Sequence, residues 1–367
     1  KLLPPAPFAM SQEGAAGSTS TLAKCLYASA ALGGGACLFV GVRRYQRVFQ
    51  ARGRLKELLA AAAGEDARVV LTGANSGIGK ELAHQLLLHP NVSLLLGCRD
   101  MKQAEHIFGK HKERAAVHRL DLLNPDSVQA FADEAHIFLK GGQPGLRMLV
   151  NNAGVMRPPQ TGNPGGADAT WQTNFLGPYL LTELLARLRL GEKGPAAKAP
   201  GLVEPVRVVQ VSSRLERRSQ LDSDLLEAVG RGEAGSHSYA DSKRALMLWT
   251  SIRAQSLAFQ GNLFCHAATP GMVDTQLGRY SMSPWLWPFT KPIRWALLRS
   301  PAEGALAVAA AGLTSKATTC FGRYFDAETQ LEDLVMERMG EKKLATQVVS
   351  WATKASALEQ RAAGYDR

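Results

Sequence analysis

The 367-residue chain has few cysteines, and none stands in a pattern that chemistry would use. Cys25, Cys37, Cys98, Cys265 and Cys320 show neither paired nor metal-ligand spacing, and several lie in apolar segments. A disulfide scaffold and a zinc module are thereby excluded, and buried free thiols in a reducing compartment are expected. The eight histidines are scattered; His106 and His111 are near one another but do not share a helical face, so no metal site is expected. No internal repeat is found. The net charge of +11 is not backed by an aromatic-interleaved basic stripe or a nucleic-acid motif, which removes nucleic acid as the expected partner. A membrane surface suits these cations better, since residues 1–66 hold eight basic residues against four acidic ones.

Only one early stretch is long and uncharged. Residues 25–42 carry no charge and run directly into Arg43-Arg44. That length just suffices for a bilayer core of ~30 Å, although Gly33-Gly34-Gly35 lowers its apolarity. A membrane anchor is the expectation, with a transit peptide as rival, and the downstream arginines put residues 43 onward on the cytosolic, matrix or stromal side. Met10 is a candidate initiator, so the expected map begins with a disordered or processed leader over 1–24. The anchor over 25–42 and a basic linker or helix over 43–65 follow. A single α/β domain over 66–330 and a helical extension over 331–367 complete it.

Two constellations carry the chemistry. Val69-Val70-Leu71 leads into Thr72-Gly73-Ala74-Asn75-Ser76-Gly77-Ile78-Gly79, and Ile78, Leu82 and Leu86 then recur at helical spacing until Pro90. This reads as strand, glycine turn and helix, in which backbone and helix N-terminus can approach a pyrophosphate. The spacing departs from the usual dinucleotide fingerprint, so an ordinary glycine turn stays open. Farther on, Tyr239 and Lys243 stand four apart and share one face of a helix. An ammonium beside a phenol would draw the phenol's pKa toward working pH, although a solvated helix surface produces the same spacing.

Taken together, these segments resemble the short-chain dehydrogenase/reductase family, whose Thr-Gly-x-x-x-Gly-x-Gly pattern is met by Thr72, Gly73, Gly77 and Gly79. Asn151-Asn152-Ala153-Gly154, Asn174, Ser212-Ser213 and Pro270-Gly271-Met272-Val273-Asp274-Thr275 follow in the family's order, so the resemblance covers roughly residues 66–360. It implies a doubly wound parallel sheet of Rossmann type. It also implies hydride transfer coupled to proton transfer by Tyr239, with Ser213 orienting the same oxygen. Lys243 would lower the tyrosine's pKa and bind the nicotinamide ribose, and Asn174 would hold a water linking Lys243 to solvent. Ser213 is preferred to Ser212 because alternation gives adjacent strand residues opposite faces and the family places the acting hydroxyl second.

The resemblance also implies cofactor contacts at Gly73, Asn75, Ser76, Gly77, Ile78, Gly79, Ala153, Gly154, Pro270, Gly271, Val273 and Thr275, as well as Tyr239 and Lys243. Asn151 is included, with bracing of the sheet as its other role. Asp121 would contact adenine, while Asn124 fills the neighbouring helix cap. Arg99, after the second strand, would pair with a 2′-phosphate and select NADP(H); a surface arginine beside Asp100 is the alternative.

The long interval between Ser213 and Tyr239, together with Gly322-Arg323-Tyr324-Phe325, is similar to the retinol-dehydrogenase-like branch. That branch implies a membrane enzyme acting on lipophilic alcohols and carbonyls. Met282–Leu298, rich in Trp, Phe, Lys, Arg and Pro, fits the branch's substrate lid or an interfacial segment, with a plain core element as alternative. Rival functions are a protochlorophyllide-reductase-like enzyme and a non-catalytic nucleotide-binding subunit of a membrane assembly. A homo-oligomer is also open.

Overall fold

A computed structural model describes residues 35–64, 66–143, 145–158, 168–191, 205–233, 235, 237–257, 263–280, 289–314, 323–326, 332–333 and 339–363. The chain divides into two units, Lys1–Gln50 and Ala51–Arg367. In the first, the described part is the beginning of helix α1 (Gly35–Ala62), where the Arg43 guanidinium lies over the Phe39 ring at 4.5 Å. The helix runs through the expected boundary at 42/43 without a break. Among the described residues no helix is long and apolar enough to cross a membrane; 25–34, most of the expected anchor, lie outside them.

The second unit is built on strands that are apolar on both faces, the mark of a parallel sheet covered on each side. They are β1 (Ala67–Thr72), β2 (Val92–Cys98), β3 (Ala115–Arg119), β4 (Leu146–Asn151), β5 (Val206–Val211), β6 (Leu263–Thr269) and β7 (Arg323–Asp326). Their order is β3-β2-β1-β4-β5-β6-β7, all parallel, with the two-residue β8 (Glu332–Asp333) antiparallel at the edge. Strand alternation sends Val70, Leu95, Leu149 and Val208 to one face and Val69, Leu94, Met148 and Val209 to the other.

The second of these faces is covered by α1 from Leu55 onward, by α2 (Gly77–Leu87) and α3 (Met101–Phe108), and by α9 (Pro301–Leu313). The first is covered by α4 (Pro125–Lys140), α5 (Gly177–Gly191), α6 (Ser223–Gly230), α7 (Ser238–Leu257), α10 (Met339–Ala355) and α11 (Leu358–Ala362). The seven-residue α8 (Lys291–Leu297) lies between β6 and α9 in sequence. Helix starts are chemically explicit. Asn124 caps α4 ahead of Pro125, and Ser300 with Glu303 closes a capping box ahead of Pro301.

The C-terminal helices pack into the main core. Ala345, Val348, Ala352 and Leu358 are buried in the main core. Trp351 packs edge-on to Trp171 at 5.7 Å and stacks on Phe175 at 6.4 Å, and Thr353 Oγ1 and Tyr179 Oη are hydrogen-bonded at 2.8 Å. The last helices thus supply part of the core on this face. Trp351→Ala should cost about 3 kcal/mol of unfolding free energy, the low end for large aromatic truncations because Trp351 is half-buried. Urea unfolding measures it, and a loss within error would show that α10 is an add-on.

Candidate active site

Strand order reverses between β1 and β4, and a crevice opens beyond the carboxyl ends of the two strands, where open α/β sheets hold their ligands. The cleft there has a volume of about 850 Å³. Its floor is a close crossing of the two strand ends. Thr72 Oγ1 accepts the N–H groups of Asn152 and Ala153, each at 3.0 Å. In return, the Asn152 amide donates to Thr72 O at 2.9 Å and Gly73 O at 3.1 Å. Gly73 has φ +72 and stands so close to Ala153 that a Cβ would meet Ala153 Cα at 2.9 Å. Gly77, at φ +57, has the Thr275 side chain where its Cβ would be. A Cβ at Gly79 would strike Gly73 O and the Asn152 amide.

Gly73, Asn75, Ser76, Gly77, Ile78, Arg99, Asp121, Ala153, Gly154, Ser213, Tyr239, Lys243, Pro270, Gly271, Val273 and Thr275 all line this cleft. Asn75 donates to Asp100 O at 2.9 Å, tying the glycine turn to the end of β2. Arg99 is exposed there, while the Asp100 carboxylate caps α3 by accepting from Gln103 N. Asp121 Oδ1 accepts from Leu123 N, and Asn124 carries the α4 cap.

Three expected residues sit behind the wall. Gly79 packs under the turn, as its contacts with Gly73 and Asn152 require. Asn151 is buried within β4, donating to Thr182 Oγ1 at 3.0 Å, and so braces sheet to helix; its neighbour Asn152 faces the cleft instead. Asn174 is fully buried in a π-turn, Gln172–Leu176, a distortion common at functional sites. Its amide grips the Val155 backbone with two bonds of 2.9 Å and donates to Ser242 Oγ at 3.2 Å. This geometry positions the strand end beside Gly154, where a Cβ would come within 3.7 Å of Lys243 Nζ.

Ser213, Tyr239 and Lys243 converge. Ser213 lines the cleft with Tyr239 and its Oγ accepts from Leu215 N at 3.3 Å, whereas the Ser212 hydroxyl is buried without a partner among the described residues. Lys243 Nζ donates to Val211 O at 2.8 Å and lies 6.0 Å from the Tyr239 ring centroid. The expected lowering of the phenol by this lysine is not realised in this arrangement. Burial pushes Tyr239 up to about 12, with the nearby Ser213 hydroxyl opposing, and burial also brings Lys243 down to about 8.

The segment after Ser213 is fastened to the helix that carries Tyr239. Asp241 Oδ1 accepts from Ser219 Oγ and Gln220 N, both at 2.8 Å, and Arg244 pairs with Glu216 at 3.1 Å and with Glu341 at 2.6 Å. Asn152, Met156, Arg218 and Met272 also line the cleft and were not anticipated. Strand parity at 151/152 was the one available signal. Of the expected lid, 282–288 lie outside the described residues, while Arg294 and Leu298 reach the cleft. Among the described residues no cluster could hold a metal ion.

A fold wound in this way around a glycine turn, with hydroxyl, phenol and amine on the opposite wall, defines a nucleotide-binding oxidoreductase. The short chain dehydrogenase model matches residues 67–199. Retinol dehydrogenase 14 of Mus musculus is 32% identical over 289 residues, 74% of this chain and 81% of that protein. Dehydrogenase/reductase SDR family member 13 of Bos taurus is 34% identical over 262 residues, 70% of this chain and 64% of that protein. NADPH-bound carbonyl reductase from chicken fatty liver shares the fold, with a TM-score of 0.51 and 23% identity over 73% of this chain and 99% of that one. The chain belongs to the short-chain dehydrogenase/reductase family, in its retinol-dehydrogenase-like branch.

The shifted groups make stability depend on pH. Lys243 binds its proton below about 8 when folded and below 10.5 when unfolded. Between these values the unfolded chain holds more protons, so stability rises with pH across that window. Tyr239 acts oppositely, since the unfolded phenol ionises from 10.0 and the folded one near 12, and this erodes stability above about 10. Urea unfolding should therefore show a gain from pH 8 toward 10 that Lys243→Met flattens while stabilising the protein at neutral pH. An unchanged slope in the variant would contradict the burial of the amine.

Proposed function

We propose that this protein is an NADP(H)-dependent oxidoreductase that interconverts a lipophilic alcohol and its aldehyde or ketone at a membrane. The observation that carries the reading is the convergence of Ser213, Tyr239 and Lys243 on one cleft with the glycine turn. The residues present fit a dinucleotide. Gly73 and Gly77 leave a cradle with no side chain, the α2 N-terminus opens onto it, and Thr275 closes against Gly77. Arg99, exposed at the end of β2, suits a 2′-phosphate, and Asp121 suits the adenine end. The bound nicotinamide supplies the hydride in reduction and takes it up in oxidation.

The chain's own part is proton transfer and orientation. In reduction Tyr239 gives its phenolic proton to the carbonyl oxygen as the carbon gains hydride, and in oxidation it takes the alcohol proton. Ser213 holds the same oxygen. Lys243, already low for an amine, sits where it can shift its proton as Tyr239 changes charge. Similarity to retinol dehydrogenase 14 supports a lipophilic alcohol or carbonyl as substrate. The uncharged stretch 25–42 supports a membrane location.

NADPH oxidation by the purified protein across a panel of lipophilic aldehydes tests the reading. Tyr239→Phe should lower turnover by ~10²–10⁴-fold with nucleotide binding retained, and Ser213→Ala should lower it strongly where Ser212→Ala does not. Silence of the wild type across the panel, with nucleotide bound, would overturn catalysis. Separately, Arg99→Asp should move the preference from NADPH toward NADH in binding titrations; an unmoved ratio would remove Arg99 from selection.

A further inference from the structure

We propose that α8 and the adjoining tip at Met272 form a docking surface for the headgroup region of an anionic bilayer, placed beside the mouth of the cleft. The helix is polar inward and apolar outward. Inward, Arg294 Nε pairs with Asp274 at 3.2 Å, its Nη1 donates to Thr290 Oγ1 at 2.6 Å, and Leu298 joins the cleft wall. Outward, Phe289, Ile293 and Leu297 recur every fourth residue and are 75%, 63% and 78% exposed. Trp295 adds a ring that is 41% exposed, and Met272 stands out at 77%. Single exposed apolar residues are ordinary, but five gathered about one short helix mark a surface that something covers.

Charge selects the occupant. From Thr275 through Ala302 the sequence carries no acidic residue; Arg294 is spent inward on Asp274, while Lys291 is exposed at the start of α8. Aromatic and aliphatic side chains bordered by an exposed cation and by no exposed carboxylate of their own segment are what an anionic lipid interface retains. Backbone ties hold the surface in register with the site. Asp274 N donates to Arg299 O and Arg299 N donates to Met272 O, both at 2.9 Å, so the loop that lines the cleft and the segment after α8 move as one. With the lipophilic substrate of the proposed function, on which this part rests, a molecule dissolved in the bilayer reaches the cleft without crossing water.

Hydrogen–deuterium exchange on the full chain tests the surface, with and without phosphatidylcholine vesicles containing phosphatidylserine. Loss of exchange across 289–298 is expected on adding vesicles, and the double variant I293S/L297S should abolish it. The same variant should reduce a short, water-soluble aldehyde at the wild-type rate in vesicle-free buffer, which reads the fold. It should lose several-fold in rate on a long-chain aldehyde dissolved in the vesicles. Unchanged exchange at 289–298 on vesicle addition would overturn the proposal. So would protection in vesicle-free buffer that grows with protein concentration, which would assign the surface to a second copy of the chain. If the wild type reduces neither aldehyde, the proposed chemistry fails, and the exchange result still decides the docking surface.

Discussion

The crossing of β1 and β4 at their carboxyl ends is the constraint from which the rest follows. Thr72 and Asn152 bind each other's backbone reciprocally, and with Gly73 and Ala153 included the two strand ends share four hydrogen bonds between 2.9 and 3.1 Å. Beyond this point the two chains leave toward opposite faces, one into α2 and the other toward α5. A crevice is the geometric remainder. Gly73 must be glycine, both for its positive φ and because Ala153 occupies the place of a side chain. The glycine pattern in this sequence is therefore a demand of packing before it is a demand of ligand binding.

The same crowding sets the electrostatics of the opposite wall. Tyr239 and Lys243 are drawn in opposite directions by burial, the phenol up and the amine down, and each moves toward its neutral form. A site that disfavours charge on both groups keeps the proton on the phenol, so its passage from Tyr239 to Lys243 is less favourable there than in water. The nearby Ser213 hydroxyl opposes the upward shift of the phenol, and the segment after it is held by Asp241 and Arg244 from the tyrosine's own helix.

Legibility in the sequence followed the range of the interactions. The glycine turn and the Tyr239/Lys243 pair were readable because each is a local spacing on one element, and the family resemblance these segments carry implied the doubly wound sheet. Asn151 and Asn152 were harder, since strand parity separates them but only the end of β4 fixes which one leaves the sheet. The role of α10 was not readable. Trp351 meets Trp171 and Phe175, residues far upstream, and no local pattern announces which face a distant aromatic cluster will cover. Asn174 was found by motif, yet its grip on Val155 depends on a π-turn that sequence periodicity does not reveal.

Helix α7 shows why fold and site cannot be separated here. Most of its described residues are buried although many are polar, because its polar residues are spent inside. One face turns Tyr239 and Lys243 to the cleft, another uses Asp241 and Arg244 to hold the segment beyond Ser213, and a third packs Ala245, Leu246 and Trp249 into the core. Ser242 donates to Tyr239 O and accepts from Asn174, joining the helix to the π-turn. Buried polar groups are costly unless each finds its partner. A register shift of one residue would strand Asp241, Ser242 and Lys243 at once, so the bonds that make burial tolerable also fix where the phenol points.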